Sequence, residues 1–218
     1  MAKRGTRLSR RRMIQAGLAG GTLAVLGAMA GRPIKAAPSL VPTPTQSTGP
    51  FYPVSLPIEH DNDLVRVADG ADAAGRIVHV LGTVRSTDGA AVAGARVEIW
   101  QCDANGHYHH PRDRGTPDPA FQGYGTTLTD ADGAYRFRTI RPVPYTGRTP
   151  HIHAKVLRDG REALTTQLYR AGFPQNPSDF LYRRLSPSER ERVSMTLKPR
   201  ASTSRPAFET SVRIVLSG

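Results

Sequence analysis

A series of short runs with strand periodicity, each closed by a turn, restricts this chain's fold more than any other feature. Arg76 to Arg85 alternates apolar and polar residues through Ile77, Val78, Val80, Leu81 and Val84. Successive side chains of an extended strand point to opposite faces, so such a run buries one face. Asp88-Gly89 supplies a turn and Ala95 to Trp100 resumes the alternation, which predicts a hairpin between these two runs. Thr129 to Gly133 makes another turn before Ala134 to Arg138, where Tyr135 and Phe137 share a face. His151 to Leu157 and Ala163 to Tyr169 flank a turn at Asp159-Gly160, and Val193 to Leu197 and Phe208 to Leu216 are expected as closing strands. Ser186, Pro187 and Glu189 fit an N-cap, a first-turn proline and a capping-box acid, predicting a short helix through Ser188 to about Arg192. The expected fold is mainly β: a β-sandwich with long loops, one short helix and no internal repeat.

The 218 residues carry a formal charge of +12, which would suggest a nucleic-acid partner if the charge were spread over the folded domain. It is not evenly spread. Lys3, Arg4, Arg7, Arg10, Arg11 and Arg12 stand in the first thirty residues with no acid among them, so a chain cut after Ala30 keeps +6. No aromatic platform interleaves with the remaining basic residues, and no nucleic-acid partner is expected. Ser9-Arg10-Arg11-Arg12-Met13-Ile14, followed by an uncharged Gly/Ala-rich run from Ala16 to Ala30, reads as a twin-arginine export signal. The run is shorter than the ~20 residues of a membrane span. Ala28-Met29-Ala30 offers a cleavage site, with a later one near Ala36-Ala37, and an uncleaved anchor is the alternative reading. The expected organisation is a signal peptide over 1–30 (cleavage near 30–37), an extended arm over 31–75 and a sandwich domain over 76–218. After processing, a periplasmic or extracellular protein without stable membrane insertion is expected. The single Cys102 has no disulfide partner within the chain and reads as a small buried residue.

In Arg148-Thr149-Pro150-His151-Ile152-His153 the strand period puts His151 and His153 on one face while Ile152 turns into apolar packing. Two imidazoles on one face can grip one metal ion, although a structural or solvent-facing pair has the same spacing. Tyr145 lies just upstream, and Tyr108 lies in the turn Asn105-Gly106-His107-Tyr108-His109-His110; each is a candidate oxygen ligand, and each alone reads equally as a core or rim aromatic. His107, His109 and His110 are expected at a pocket rim or surface.

The runs Val97 to Tyr108, Thr129 to Phe137, Arg148 to His153 and Gln167-Leu168-Tyr169, with the upstream Thr43-Pro44-Thr45-Gln46-Ser47-Thr48-Gly49-Pro50-Phe51, resemble the intradiol ring-cleavage dioxygenases, especially the protocatechuate 3,4-dioxygenase group. The resemblance covers nearly all of the chain after the leader. It implies a non-haem Fe(III) ion held by Tyr108, Tyr145, His151 and His153, with Tyr145 matching the tyrosine that substrate displaces. Fe(III) is a hard cation that favours anionic oxygen, in keeping with two phenolates. The implied reaction inserts both atoms of O2 into a catechol-type ring between the hydroxylated carbons, giving a cis,cis-muconate-type diacid without a reducing cosubstrate. Arg148 matches an arginine that stabilises negative charge on the bound ring, Gln167 a polar residue beside it, and Gly49 and Pro50 a substrate-contacting arm.

Two departures from the family pattern stand out. The segment from Tyr145 to His151 is shorter than in typical protocatechuate enzymes, which touches substrate identity. In those enzymes the Gly-Pro arm and the iron ligands come from different subunits, whereas one chain carries both here, implying a self-sufficient monomer or a homo-oligomer. The sandwich patterns also occur in prealbumin-like binding modules, which is one rival reading; an iron-binding protein without turnover is the other.

Overall fold

A computed structural model describes residues 39–67, 70–202 and 205–217, so the leader and its cleavage site lie outside the described residues. Among those described are nine strands: β1 (Ile77–Ser86), β2 (Arg96–Trp100), β3 (Tyr124–Leu128), β4 (Ala134–Ile140), β5 (His151–Arg158), β6 (Arg161–Arg170), β7 (Ser194–Met195), β8 (Lys198–Arg200) and β9 (Ala207–Leu216). They form a four-stranded sheet ordered β4-β1-β9-β8 and a five-stranded sheet ordered β3-β2-β5-β6-β7. The inward residues of both sheets, among them Val80, Val84, Val97, Ile99, Phe137, Ile152, Val156 and Ile214, make the main core. The mainly β expectation holds.

The hairpin expected between the first two runs does not form. β1 pairs with β4 and β9, whereas β2 pairs with β3 and β5 in the other sheet. Asp88-Gly89 does reverse the chain, with Val92 N–H donating to the Val84 carbonyl at 3.0 Å, but only an isolated Arg85–Ala91 bridge follows. A second turn at Gly94 (φ 69°) then carries the chain across to the opposite sheet. Alternation fixes which face of a strand is buried, and both sheets of a sandwich satisfy it equally. The two runs joined at Asp159-Gly160 do pair directly, across a two-residue turn with positive φ at both positions (52° and 74°), the form that matches strand twist. The strand expected over Val193 to Leu197 contracts to β7, and β3 and β8 form where periodicity gave no signal.

The helix α1 (Pro187–Arg192) has the expected capping box: Ser186 Oγ accepts from the Glu189 amide, and the Glu189 carboxylate accepts from the Ser186 amide. Before β1, Leu64 and Val65 are fully buried in the core and Asp63 bridges to Arg138.

Gly82, in the middle of β1, has no room for a side chain. The Tyr135 side chain crosses it to donate to the Val212 carbonyl at 3.0 Å, and a β-carbon added at Gly82 would stand 2.1 Å from that oxygen. Gly82→Ala is expected to lower stability by at least about 1–3 kcal/mol through overpacking, read as a fall in thermal midpoint. An unchanged midpoint would mean that Tyr135 and the β9 backbone at Val212 both give way freely.

Candidate functional site

The outer face of the five-stranded sheet carries the chemistry. Its register sets Trp100 of β2, His153 of β5 and Gln167 of β6 in one row, with His151 opposite Tyr169 in the next. The Trp100 indole lies flat on the His153 ring, centroids 4.8 Å apart at 7°, which fixes the plane of that imidazole. His151 and His153 meet at their Nε2 atoms, 3.2 Å apart, and both rings are buried. Nδ1 of His151 stands 2.7 Å from the Thr149 carbonyl; as an N–H it donates there and leaves the Nε2 lone pair exposed to the site. Burial, with Arg148 nearby, pushes the His151 pKa down to about 3, and burial beside His151 holds His153 well below its ordinary value. Both imidazoles are therefore neutral at pH 7.

Two loops bring the tyrosines over these rings. Asp103 organises the first by accepting from the Asn105, His107 and Asp118 amides, and Asp113 accepts from the Tyr108 and Gly115 amides. Tyr108 is buried and its hydroxyl has no hydrogen-bond partner. The second loop closes in a four-residue turn, with Arg148 N–H donating to the Tyr145 carbonyl at 2.8 Å and positive φ at Gly147 (74°). This turn is the short approach that the sequence displays between Tyr145 and His151. The rings converge: Tyr108 lies 5.3 Å from Tyr145 and 6.4 Å from His153, and Tyr145 lies 5.6 Å from His151. Burial raises the pKa of both phenols; the neighbouring Tyr145 adds to this at Tyr108, and Arg148 works against it at Tyr145.

Arg148 is not a surface charge. Its Nε donates to Asp179 at 2.8 Å and Nη2 donates to Gln167 Oε1 at 2.6 Å, with the guanidinium 5.3 Å from the Phe180 ring centroid. Asp179 also accepts from the Thr149, Leu181 and Tyr182 amides. Burial pushes the Asp179 carboxyl up, but these amides and the Arg148 guanidinium together bring it below the ordinary carboxylate value.

The arm completes the enclosure. Gln46 donates to Thr166 Oγ1 and the Gln167 carbonyl, accepts from the Tyr169 hydroxyl at 2.6 Å, and Gln167 Nε2 donates to the Ser47 carbonyl. Gly49 (φ 73°) then passes so close to His153 that a β-carbon would lie 3.1 Å from Cε1. Phe51 stacks on Tyr108 at 4.6 Å, and Tyr52 packs edge-on against Trp100 at 4.9 Å. Pro50 lines a cleft of about 510 Å³ with Phe51, Tyr145, Arg148 and Phe180.

All eight sequence-derived candidates thus fall at one place: Tyr108, Tyr145, His151 and His153 face each other, Arg148 and Gln167 are bonded beside them, and Gly49 and Pro50 cover them. His107, His109 and His110 bond to Asp113, the Asp118 carbonyl and the Arg112 amide on the rim. Cys102 is buried, and burial pushes its thiol up to about 12. Sequence reasoning missed Asp179, Phe51 as a stacking partner and Trp100 as a support for His153. For Trp100 a signal existed, because the strand period places it on the face away from Val97 and Ile99.

Residues 47–218 match the family model Dioxygenase_C, described as dioxygenase. A catechol 1,2-dioxygenase of Acinetobacter baylyi is 34% identical over 158 residues, covering 64% of this chain and 50% of that protein. The protocatechuate 3,4-dioxygenase beta chain of Burkholderia cepacia is 35% identical over 147 residues, covering 63% and 62%. This chain spans about half the length of the curated catechol 1,2-dioxygenases it matches. Among solved structures, the dioxygenase domain of a dioxygenase and carbohydrate-binding protein fusion from the cellulolytic bacterium Streptomyces sp. SirexAA-E has 33% identity and a TM-score of 0.63, covering 81% of this chain and 99% of that one. With the family match running from the arm to the last residue, this chain belongs to the Dioxygenase_C family of intradiol dioxygenases.

Proposed function

We propose that this protein is an exported non-haem Fe(III) intradiol dioxygenase that cleaves a catechol-type ring between its two hydroxylated carbons, consuming O2. The carrying observation is the convergence of two neutral imidazole nitrogens, 3.2 Å apart, with a buried phenol whose hydroxyl has no partner and a second phenol beside it. Among the described residues no cluster of three or more His, Cys, Asp and Glu offers a metal site, so the ligand set here draws on tyrosine: Tyr108, Tyr145, His151 and His153. This donor set fits Fe(III), whose charge turns phenols that burial keeps protonated into phenolates. A bound ferric ion supplies the chelation that makes a catechol ring reactive towards O2.

Within that reading the two tyrosines have different parts. Tyr108 is fully enclosed and pinned under Phe51, which suits a permanent ligand. Tyr145 is half-buried at the cleft beside Arg148, which suits a phenolate that would leave the ion and accept a substrate proton on Oη, becoming a neutral phenol. Arg148, held by Asp179 and Gln167, presents a fixed positive charge where negative charge builds on the ring, at no reorganisation cost during reaction. Phe51, Trp100 and the arm keep bulk water from the ligands. Export rests on the leader and the twin-arginine pattern.

The iron-loaded protein is expected to be red-brown from tyrosinate-to-iron charge transfer, and to take up O2 with at least one of catechol, protocatechuate, hydroxyquinol or a larger catechol, yielding a muconate-type diacid by mass spectrometry. A colourless protein after loading sinks the ligand assignment. A coloured protein that consumes no O2 with any of them favours an iron carrier.

A further inference from the structure

We propose that the cleft above this site selects catechols bearing a carboxylate on a side chain set off from the ring, and that Arg112 and Arg114 hold that carboxylate. This rests on the ring-cleavage reading above and adds to it the substrate class. The cleft, about 510 Å³, exceeds what a single benzenediol ring requires. Arg148, which is buried, lines it with the half-buried Tyr145 and Phe51 and with the exposed Pro50, Phe180, Arg112 and Arg114. Phe180 is 48% exposed, an apolar ring left facing the space where a substrate's linker would lie.

The charge at this edge is unbalanced. Both arginine side chains are exposed, and among the described residues neither guanidinium makes a hydrogen bond or ion pair. Asp113, the acid between them, faces inward: its carboxylate accepts from the Tyr108 and Gly115 amides and lies 3.2 Å from His107 Nδ1. Asp179, which bonds to the cleft residue Arg148, is itself buried. Two unpaired guanidiniums on one short turn offer planar, forked donors for a carboxylate. Arg148 is buried while Arg112 and Arg114 are exposed, so a ring seated against Arg148 would bring to the outer pair an acid carried away from the ring. Depth therefore separates this class from catechols whose carboxylate sits on the ring itself.

The test compares 3-(3,4-dihydroxyphenyl)propanoate with the neutral alcohol of the same length, 3-(3,4-dihydroxyphenyl)propan-1-ol, by oxygen uptake with the iron-loaded full chain. The expected result is a KM for the acid at least about fivefold below that for the alcohol, shrinking with added salt, because exposed ion pairs are modest and screened. In Arg112→Gln/Arg114→Gln that ratio should collapse towards one. Equal KM values in the wild type, or a preference that survives the double substitution, overturns the proposal. If no catechol is cleaved at all, the ring-cleavage reading fails instead. Calorimetric binding of the same acid and alcohol to wild type and double variant then decides the carboxylate site by the same ratio.

Discussion

Tyr108→Phe is expected to abolish the colour of the iron-loaded protein and to lower ring cleavage by more than the roughly 10–100-fold that loss of a metal site's outer-shell partner costs. The same substitution should leave the iron-free protein as stable as wild type, or up to about 1–2 kcal/mol more stable, because it deletes a buried hydroxyl with no partner while keeping the ring against Phe51. Function and stability thus move in opposite directions, which a hydroxyl serving the fold would not do. Chemical denaturation in the presence of a chelator, alongside absorbance of the loaded protein, reads both. A variant that keeps its colour, or that loses stability when iron-free, would contradict the ligand role.

Asp179→Ala is expected to give the largest loss of stability, about 3–5 kcal/mol, since it leaves the Arg148 guanidinium buried without its counter-charge. It also strips acceptors from the Thr149, Leu181 and Tyr182 amides. The paired change Arg148→Met/Asp179→Leu should recover part of that stability, because two apolar side chains replace two charges, yet it should not recover turnover if Arg148 stabilises charge on the ring. Recovery of both would reduce Arg148 to a structural part. The pH dependence has a definite sign. The Asp179 carboxyl lies below its ordinary 3.8 when folded, so its contribution is complete above that value and disappears as pH falls through the lower folded-state pKa. The difference between wild type and Asp179→Ala should stay flat from neutral pH to about pH 4 and narrow only below it.

The legible parts of this protein were those governed by neighbours in sequence. His151 and His153 share a face because the strand period is two, and the strand did not need its partners to establish that. The turn at Asp159-Gly160 and the capping box at Ser186 and Glu189 are likewise settled within a few residues. The Tyr108 loop was less legible: its position depends on Asp103 and Asp113 collecting amide donors, which spacing alone does not reveal. Its place in the site came from resemblance to a family.

By itself, then, the sequence determined a mainly β chain, the strand faces, and the pairing of His151 and His153 on one of those faces, with Tyr108, Tyr145 and Arg148 joined to them by family resemblance. Only the tertiary structure decided which sheet each strand joins, because a buried face satisfies the alternation of β1 and β2 in either sheet. It likewise decided that Asp179 neutralises Arg148 across 31 residues, that Trp100 flattens against His153, and that the arm of the same chain bonds to Tyr169 through Gln46 and packs over His153 at Gly49. Each of these is a long-range contact whose partners are chosen by packing and register. The same holds for the rim: Arg112 and Arg114 read as two more basic residues in the chain, and only the inward turn of Asp113 leaves them unpaired above the cleft.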